Sequence, residues 1–272
     1  LVPDGEYLIE DPVVDTVGNS FSQPLGKIIV DRTAPTTFIV SLAQSLVKSD
    51  SSVRVTVTAS DTLSGFTSQN DVSASDLTSN LPATLVSFTG SLAAGQSGTW
   101  VFSQPTAAPD GEHTEQVSAR DAPGNIKSVR GLYTVDATPP DVAVVRSPAG
   151  SIVGPVTLSA SATDAHGVRN ITIYVDGNAV KTCAGSNCVL TQELVAGPHT
   201  SFARSNDLPG NLGTSATISF PVISSIDWTQ SLDSATINAV ARDASDNVYL
   251  GGRIAIGATQ GAFVRKISPA GT

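Results

Sequence analysis

The sequence predicts an all-β chain built from Greek-key β-sandwiches in tandem, and three observations predict it. Short runs alternate apolar and polar residues, as in VRVTVTAS at 53–60, the pattern of a strand with one face in a core. Twenty-three glycines and 16 prolines punctuate those runs where turns are needed. The signature Asp-x-x-Gly-Asn occurs three times between strand-like runs, as DTVGN at 15–19, DAPGN at 121–125 and DLPGN at 207–211. No segment shows a capped 3.6-residue apolar stripe, so helices are not expected.

The elements follow in chain order. Between Pro3 and Pro35, PDGEYLIEDPVVDTVGN and KIIVDRTAP predict the last two strands of a truncated sandwich, residues 1–35. Residues 36–140 are expected to form a complete sandwich, closing on PDGEHTEQVSARDAPGN and LYTVDATPP. Residues 141–222 are expected to form another, with strands in PVTLSASAT and NITIYVDGNAV and a hairpin turn at Asp176-Gly177. That domain closes on AGPHTSFARSNDLPGN and ATISFP. In every copy a glycine (Gly5, Gly111, Gly197) stands ten residues before the aspartate. Tandem units at a spacing of roughly 85 to 105 residues are too long for a solenoid and suit one sandwich each.

The ordered pattern, Asp-Gly, strand, Asp-x-x-Gly-Asn, strand, Val-Asp-x-Thr-x-Pro, resembles the closing strands and linker of tandem bacterial immunoglobulin-like (Ig-like) domains, over residues 1 to about 222. The third copy departs from it, with Pro198 after the glycine and ISFPVIS in place of the linker. Residues 223–272 are similar instead to one blade repeat of a bacterial β-propeller family. Trp228, Asp243, Asn247, Val248, Tyr249, Gly252, Phe263, Lys266 and Gly271 match, while Asp246 and Gly261 depart. That similarity implies an incomplete propeller, because one blade cannot bury its own faces. The Ig-like resemblance implies a large surface or secreted protein.

Sandwich topology groups the acidic residues. The Asp-x-x-Gly-Asn loop joins the last two strands, at the end where the linker enters and the loop after the second strand lies. Asp31, Asp61 and Asp121 should therefore meet at one junction, and Asp136, Asp164 and Asp207 at the next. Carboxylates so placed repel one another. Either each aspartate simply caps its own turn, or a Ca²⁺ ion neutralises the group, with carbonyls and water completing its oxygen shell. In the second case, the carboxylates of each trio should lie within about 6 to 8 Å of one another.

Composition excludes other classes. A net charge of −9 and a pI near 4.6 leave no basic stripe for nucleic acid. No apolar run is long enough to span a membrane. The chain has no methionine and opens LVPDGEY, as expected of a stretch from within a longer protein. The only cysteines, Cys183 and Cys188 in VKTCAGSNCVL, predict a small hairpin disulfide and hence an oxidising, extracellular setting. His113, His166 and His199 fit no metal or triad signature, so no catalysis is expected. Trp100 is expected in a core, and the sequon at Asn170 is read as accidental. The expected role is non-catalytic presentation at a bacterial surface, within adhesion to a surface protein or glycan. The alternative is a set of accessory or carbohydrate-binding modules of a secreted hydrolase whose catalytic domain lies elsewhere.

Overall fold

Strands form nearly all the regular structure, because the alternating runs leave each strand one face to bury. The computed structural model describes residues 2–150, 152–223, 235–245 and 247–268. Its only helical element among them is a 3₁₀ turn at Gln69–Asp71. The chain divides into two units, residues 1–138 and 139–272.

The first unit opens with a hairpin. Strand β1 (Gly5–Val14) pairs antiparallel with β2 (Ser20–Val30), from Gly5 opposite Val30 to Val14 opposite Ser20. Leu8, Val13, Phe21 and Leu25 are all more than half exposed on this pair.

A sandwich follows. Strands β3 (Thr37–Leu42), β4 (Leu46–Lys48), β5 (Ser52–Ser60), β6 (Val72–Asp76) and β7 (Leu81–Pro82) lead into β8 (Thr84–Gly90), β9 (Ser97–Pro105), β10 (Gly111–Arg120) and β11 (Ile126–Asp136). One sheet has the order β3-β5-β9-β8, the other β4-β11-β10-β6-β7. β4 crosses to the second sheet and pairs parallel with β11. Inward residues such as Val55, Val57, Val117 and Ala119 are fully buried between the sheets. Trp100 lies among them, edge-on to Phe66 at 5.4 Å, with its indole N–H donating to the Gln69 carbonyl at 2.9 Å. That bond satisfies the polar end of an otherwise apolar side chain.

The second unit contains another sandwich. Its strands are β12 (Asp141–Ser147), β13 (Val156–Thr163), β14 (Val168–Val175), β15 (Asn178–Ala184), β16 (Asn187–Gln192), β17 (Gly197–Asp207), β18 (Leu212–Thr214) and β19 (Ile218–Val222). Order β12-β13-β16 makes one sheet; β15-β14-β17-β18 makes the other, where β17 also pairs with β19. Leu158, Ile171, Ile173 and Ala203 fill the space between.

Cys183 and Cys188 are disulfide-bonded, with Cα atoms 5.4 Å apart. The expected hairpin is corrected, however. β15 pairs with β14 and β16 with β13, so the bond joins the two sheets rather than two paired strands. The connection changes sheets at Gly185-Ser186: Gly185 N–H donates to Arg169 O, while Ser186 O accepts from Ala162 N–H.

Residues beyond 234 form an antiparallel meander of β20 (Ala235–Arg242), β21 (Val248–Ile256) and β22 (Thr259–Ile267). A propeller blade has four strands, and the described residues here form three. Trp228, Asp246 and Gly271, used in that comparison, lie outside the described residues.

Candidate metal centre

The Asp-x-x-Gly-Asn sequence builds a self-contained turn. At Asp121, Oδ1 accepts from the backbone N–H of Gly124 at 2.8 Å and of Asn125 at 2.6 Å. Oδ2 accepts from the Asn125 side-chain amide at 2.7 Å, and the Asp121 N–H donates to Asn125 O. Asp15 with Asn19 and Asp207 with Asn211 repeat these side-chain bonds. Gly18, Gly124 and Gly210 hold φ between +92° and +108°, where a side chain is strained, which explains the invariant fourth residue of the motif. Asp243 and Asn247 make the same pairing in the meander. The turn-capping role expected of the motif is therefore present in every copy.

Around Asp121 the turn acquires neighbours. Asp61 follows β5, and its Oδ1 accepts four bonds, from the N–H groups of Leu63, Ser64 and Gly65 and the Ser64 hydroxyl. The two loops are tied directly, since Ala122 N–H donates to Gly65 O at 2.9 Å. Gly65 is required there: its φ is +70°, and a Cβ would stand 2.5 Å from Leu92 O. Asp31, just beyond β2, accepts from Thr33 N–H through Oδ1, and its own carbonyl accepts from the Asn125 amide. One motif residue, Asn125, thus closes its own turn and anchors the incoming linker.

The result is a trio of buried carboxylates. Asp31, Asp61 and Asp121 each offer an oxygen, all within 4.8 Å of one another. Asp31 Oδ2 and Asp61 Oδ2 are buried and have no hydrogen-bond partner. Burial alone would push the Asp61 carboxyl up, but its backbone bonds from Gly65, Ser64 and Leu63 outweigh that and hold it below the usual range. Two bare buried oxygens beside a third carboxylate are oxygen donors of the kind that could hold a hard divalent cation.

The second trio is placed residue by residue. Asp136, in the first unit, ends β11 buried and receives Thr138 N–H, the same Asp-x-Thr turn as Asp31. Asp164 and Asp207 belong to the second unit. Asp164 is half-buried and receives His166 N–H; Asp207 is buried within its turn. Their loops are tied as in the first sandwich, here by Leu208 N–H to Gly167 O.

Sequence reasoning missed a second polar cluster. His113 Nδ1 lies 2.6 Å from Asp76 Oδ2, and Nε2 lies 2.8 Å from Pro109 O. His199 repeats this with Asp176 at 2.7 Å and Val195 O at 2.8 Å. Tyr7, at the equivalent position of the hairpin, donates its hydroxyl to Pro3 O at 2.8 Å. Each side chain stands two residues past the repeat glycine and reaches four residues back. That spacing was the available signal. These two histidines pin the start of a strand rather than hold a nucleophile.

Residues 37–137 match the family model of a bacterial Ig-like domain, and residues 140–202 that of a bacterial Ig domain. Among solved structures, the fibronectin(III)-like modules of Clostridium thermocellum CbhA are 12% identical, with 71% of this chain and 99% of that one covered and a TM-score of 0.36. A tetra-tandem repeat from the extending region of a large adhesion protein is 22% identical, covering 98% and 72%, with a TM-score of 0.31. The Yersinia pseudotuberculosis adhesin InvE is 15% identical, covering 78% and 66%, with a TM-score of 0.27. No curated protein matches the chain. With two family models matched one after the other, each over a two-sheet sandwich, the chain carries two bacterial Ig-like domains in tandem.

Proposed function

We propose that this chain is a non-catalytic structural stretch of a bacterial surface or secreted protein. Its Ig-like domains would present other parts of the polypeptide to a surface protein or glycan, in adhesion. The disulfide supports an oxidising, extracellular setting. Within the same reading, residues 1–35 are the closing strands of a further Ig-like domain, and residues 223–272 are a propeller-type repeat. A Ca²⁺ ion shared by Asp31, Asp61 and Asp121 fixes the linker to the first sandwich. The unpartnered oxygens of Asp31 and Asp61 carry this part of the reading. Without a cation, each pair of charges at this separation repels by roughly 3 kcal/mol at an effective dielectric of 20.

The test is thermal unfolding of the whole chain in calcium and in chelator. A hundredfold excess over the dissociation constant stabilises by about 2.7 kcal/mol, several degrees in melting temperature. Asp31→Asn keeps the Oδ1 bond to Thr33 but removes a charge, so the calcium shift should shrink or vanish. Identical wild-type melts in calcium and chelator would remove the ion from the proposal and leave the turns alone. Presentation itself is tested by binding the chain to glycan arrays and to host-surface protein extracts. Hydrolase activity mapping to a neighbouring domain of the same gene would favour the accessory-module alternative.

A further inference from the structure

Glu115, at the middle of β10, has no place in the metal centre and no structural bond. It is fully buried, and neither of its carboxyl oxygens has a hydrogen-bond partner. In the register it stands between Asp76 of β6 and Gly131 of β11. The titratable groups facing it are Asp76 from β6, His113 from its own strand and Tyr133 from β11. In the opposing sheet the buried side chains Val53 and Val55 of β5 and Phe102 and Gln104 of β9 carry no charge.

The hydrogen bonds fix the charges around it. Asp76 accepts from the Tyr133 hydroxyl, the Ser79 hydroxyl and the Thr78 N–H, as an ionised carboxylate does. His113 lies between that carboxylate and the Pro109 carbonyl, both acceptors, so both ring nitrogens donate and the ring is an imidazolium. Asp76 and His113 thus neutralise each other. An ionised Glu115 would add an uncompensated negative charge beside Asp76 in a dry site.

The fold does not require an acid at this position. Counting four residues from the repeat glycine gives Ile9 after Gly5, Glu115 after Gly111 and Ser201 after Gly197. Ser201 is just as buried and carries no charge. One sandwich therefore holds a buried acid where its neighbour holds a neutral residue.

We propose that Glu115, set against the Asp76–His113 pair, makes the first sandwich a proton-responsive module, tight while Glu115 keeps its proton and loosened along β6 and β10 as the pH rises. Burial, with the Asp76 charge added, pushes the Glu115 carboxyl from 4.5 up to about 7. A folded value above the unfolded one means that the stabilisation is complete below pH 4.5 and is lost as pH rises through 7. His113 acts in the same direction. Burial lowers its affinity for a proton, but the Asp76 and Pro109 bonds overcome this and raise it above 6.5.

The experiment uses the full chain carrying Trp228→Phe, so that Trp100 reports on the first sandwich. Between pH 5 and 8.5, Glu115 should by itself lower the folding constant roughly 75-fold, and Glu115→Gln should remove that part of the fall and leave only the part due to His113, since each pKa unit is worth tenfold. An unchanged slope with Glu115→Gln would overturn the proposal. Should that variant fail to fold, Glu115→Ser supplies the residue the second sandwich uses. Independently, the Glu115 carboxyl carbon, assigned by NMR, should titrate near neutrality. A midpoint in the ordinary range of 4 to 5 would overturn the proposal whatever the variants do.

Discussion

The turns at Asp15 and Asp121 have the same sequence pattern and the same bonds from the asparagine, differing only in that Oδ1 accepts from Val17 N–H in one and Gly124 N–H in the other, yet they sit in different electrostatic worlds. Asp15 is exposed at the tip of a hairpin, its carboxylate occupied by Val17, Asn19 and water-facing space. Asp121 is buried against Asp31 and Asp61. A motif can therefore be read for the turn it makes, while any ion it binds depends on what the fold brings beside it. Asn125 shows the added use, since its amide reaches the Asp31 carbonyl as well as Asp121.

Mutation can break this comparison at several strengths. Asp121→Ala should cost about 2 to 4 kcal/mol, by stripping several bonds from buried groups, and should abolish any calcium shift. Asp15→Ala, losing a similar set of bonds in the open, should change the melt far less. Equal losses in calorimetry would mean that the surroundings contribute nothing. Gly65→Ala comes next, at roughly 1 to 3 kcal/mol, because the φ of +70° and the Leu92 carbonyl both resist a Cβ. It should also weaken the calcium response by displacing Asp61. Asp61→Asn sharpens the comparison further: it weakens the bonds that hold Asp61 ionised, so it should destabilise in chelator, and by more in calcium. An equal loss in both conditions would show that the trio is held by hydrogen bonds alone.

The smallest expected effect concerns the histidine pair in the second sandwich. The bond to Val195, then that to Asp176, raises the His199 proton affinity above its usual 6.5. Its contribution is complete below that value and fades as pH rises through the higher folded one. Because Asp176 is partly exposed, His199→Gln should remove less than about 1 kcal/mol of that slope. Melts of the second sandwich at pH 6 and 8 would measure it.

Much of the fold was legible because period-2 alternation and turn glycines report directly on strands and their ends. The Asp31–Asp61–Asp121 grouping was legible because sandwich topology places those loops at one end. Two features were not. CAGSNC reads the same whether the chain turns back on its own ladder or crosses to the facing sheet, since five residues of separation suit both. In GEHTEQ every residue after the glycine is polar, so alternation cannot say that His113 and Glu115 point inward. The partner that explains His113, Asp76, is 37 residues away and joins it only through the β6–β10 pairing.

The bridge between Cys183 and Cys188 has a consequence for how the second sandwich breathes. So short a ring restrains the unfolded chain by only about 2 kcal/mol, which makes it a modest brace against complete denaturation. Its ends, however, belong to opposite sheets. Partial excursions in which β15 or β16 peels outward must carry the other along, and such subglobal openings ordinarily expose strand edges to exchange, proteases and neighbouring chains. Reduction should therefore accelerate amide exchange in β15 and β16 far more than it lowers the melting temperature.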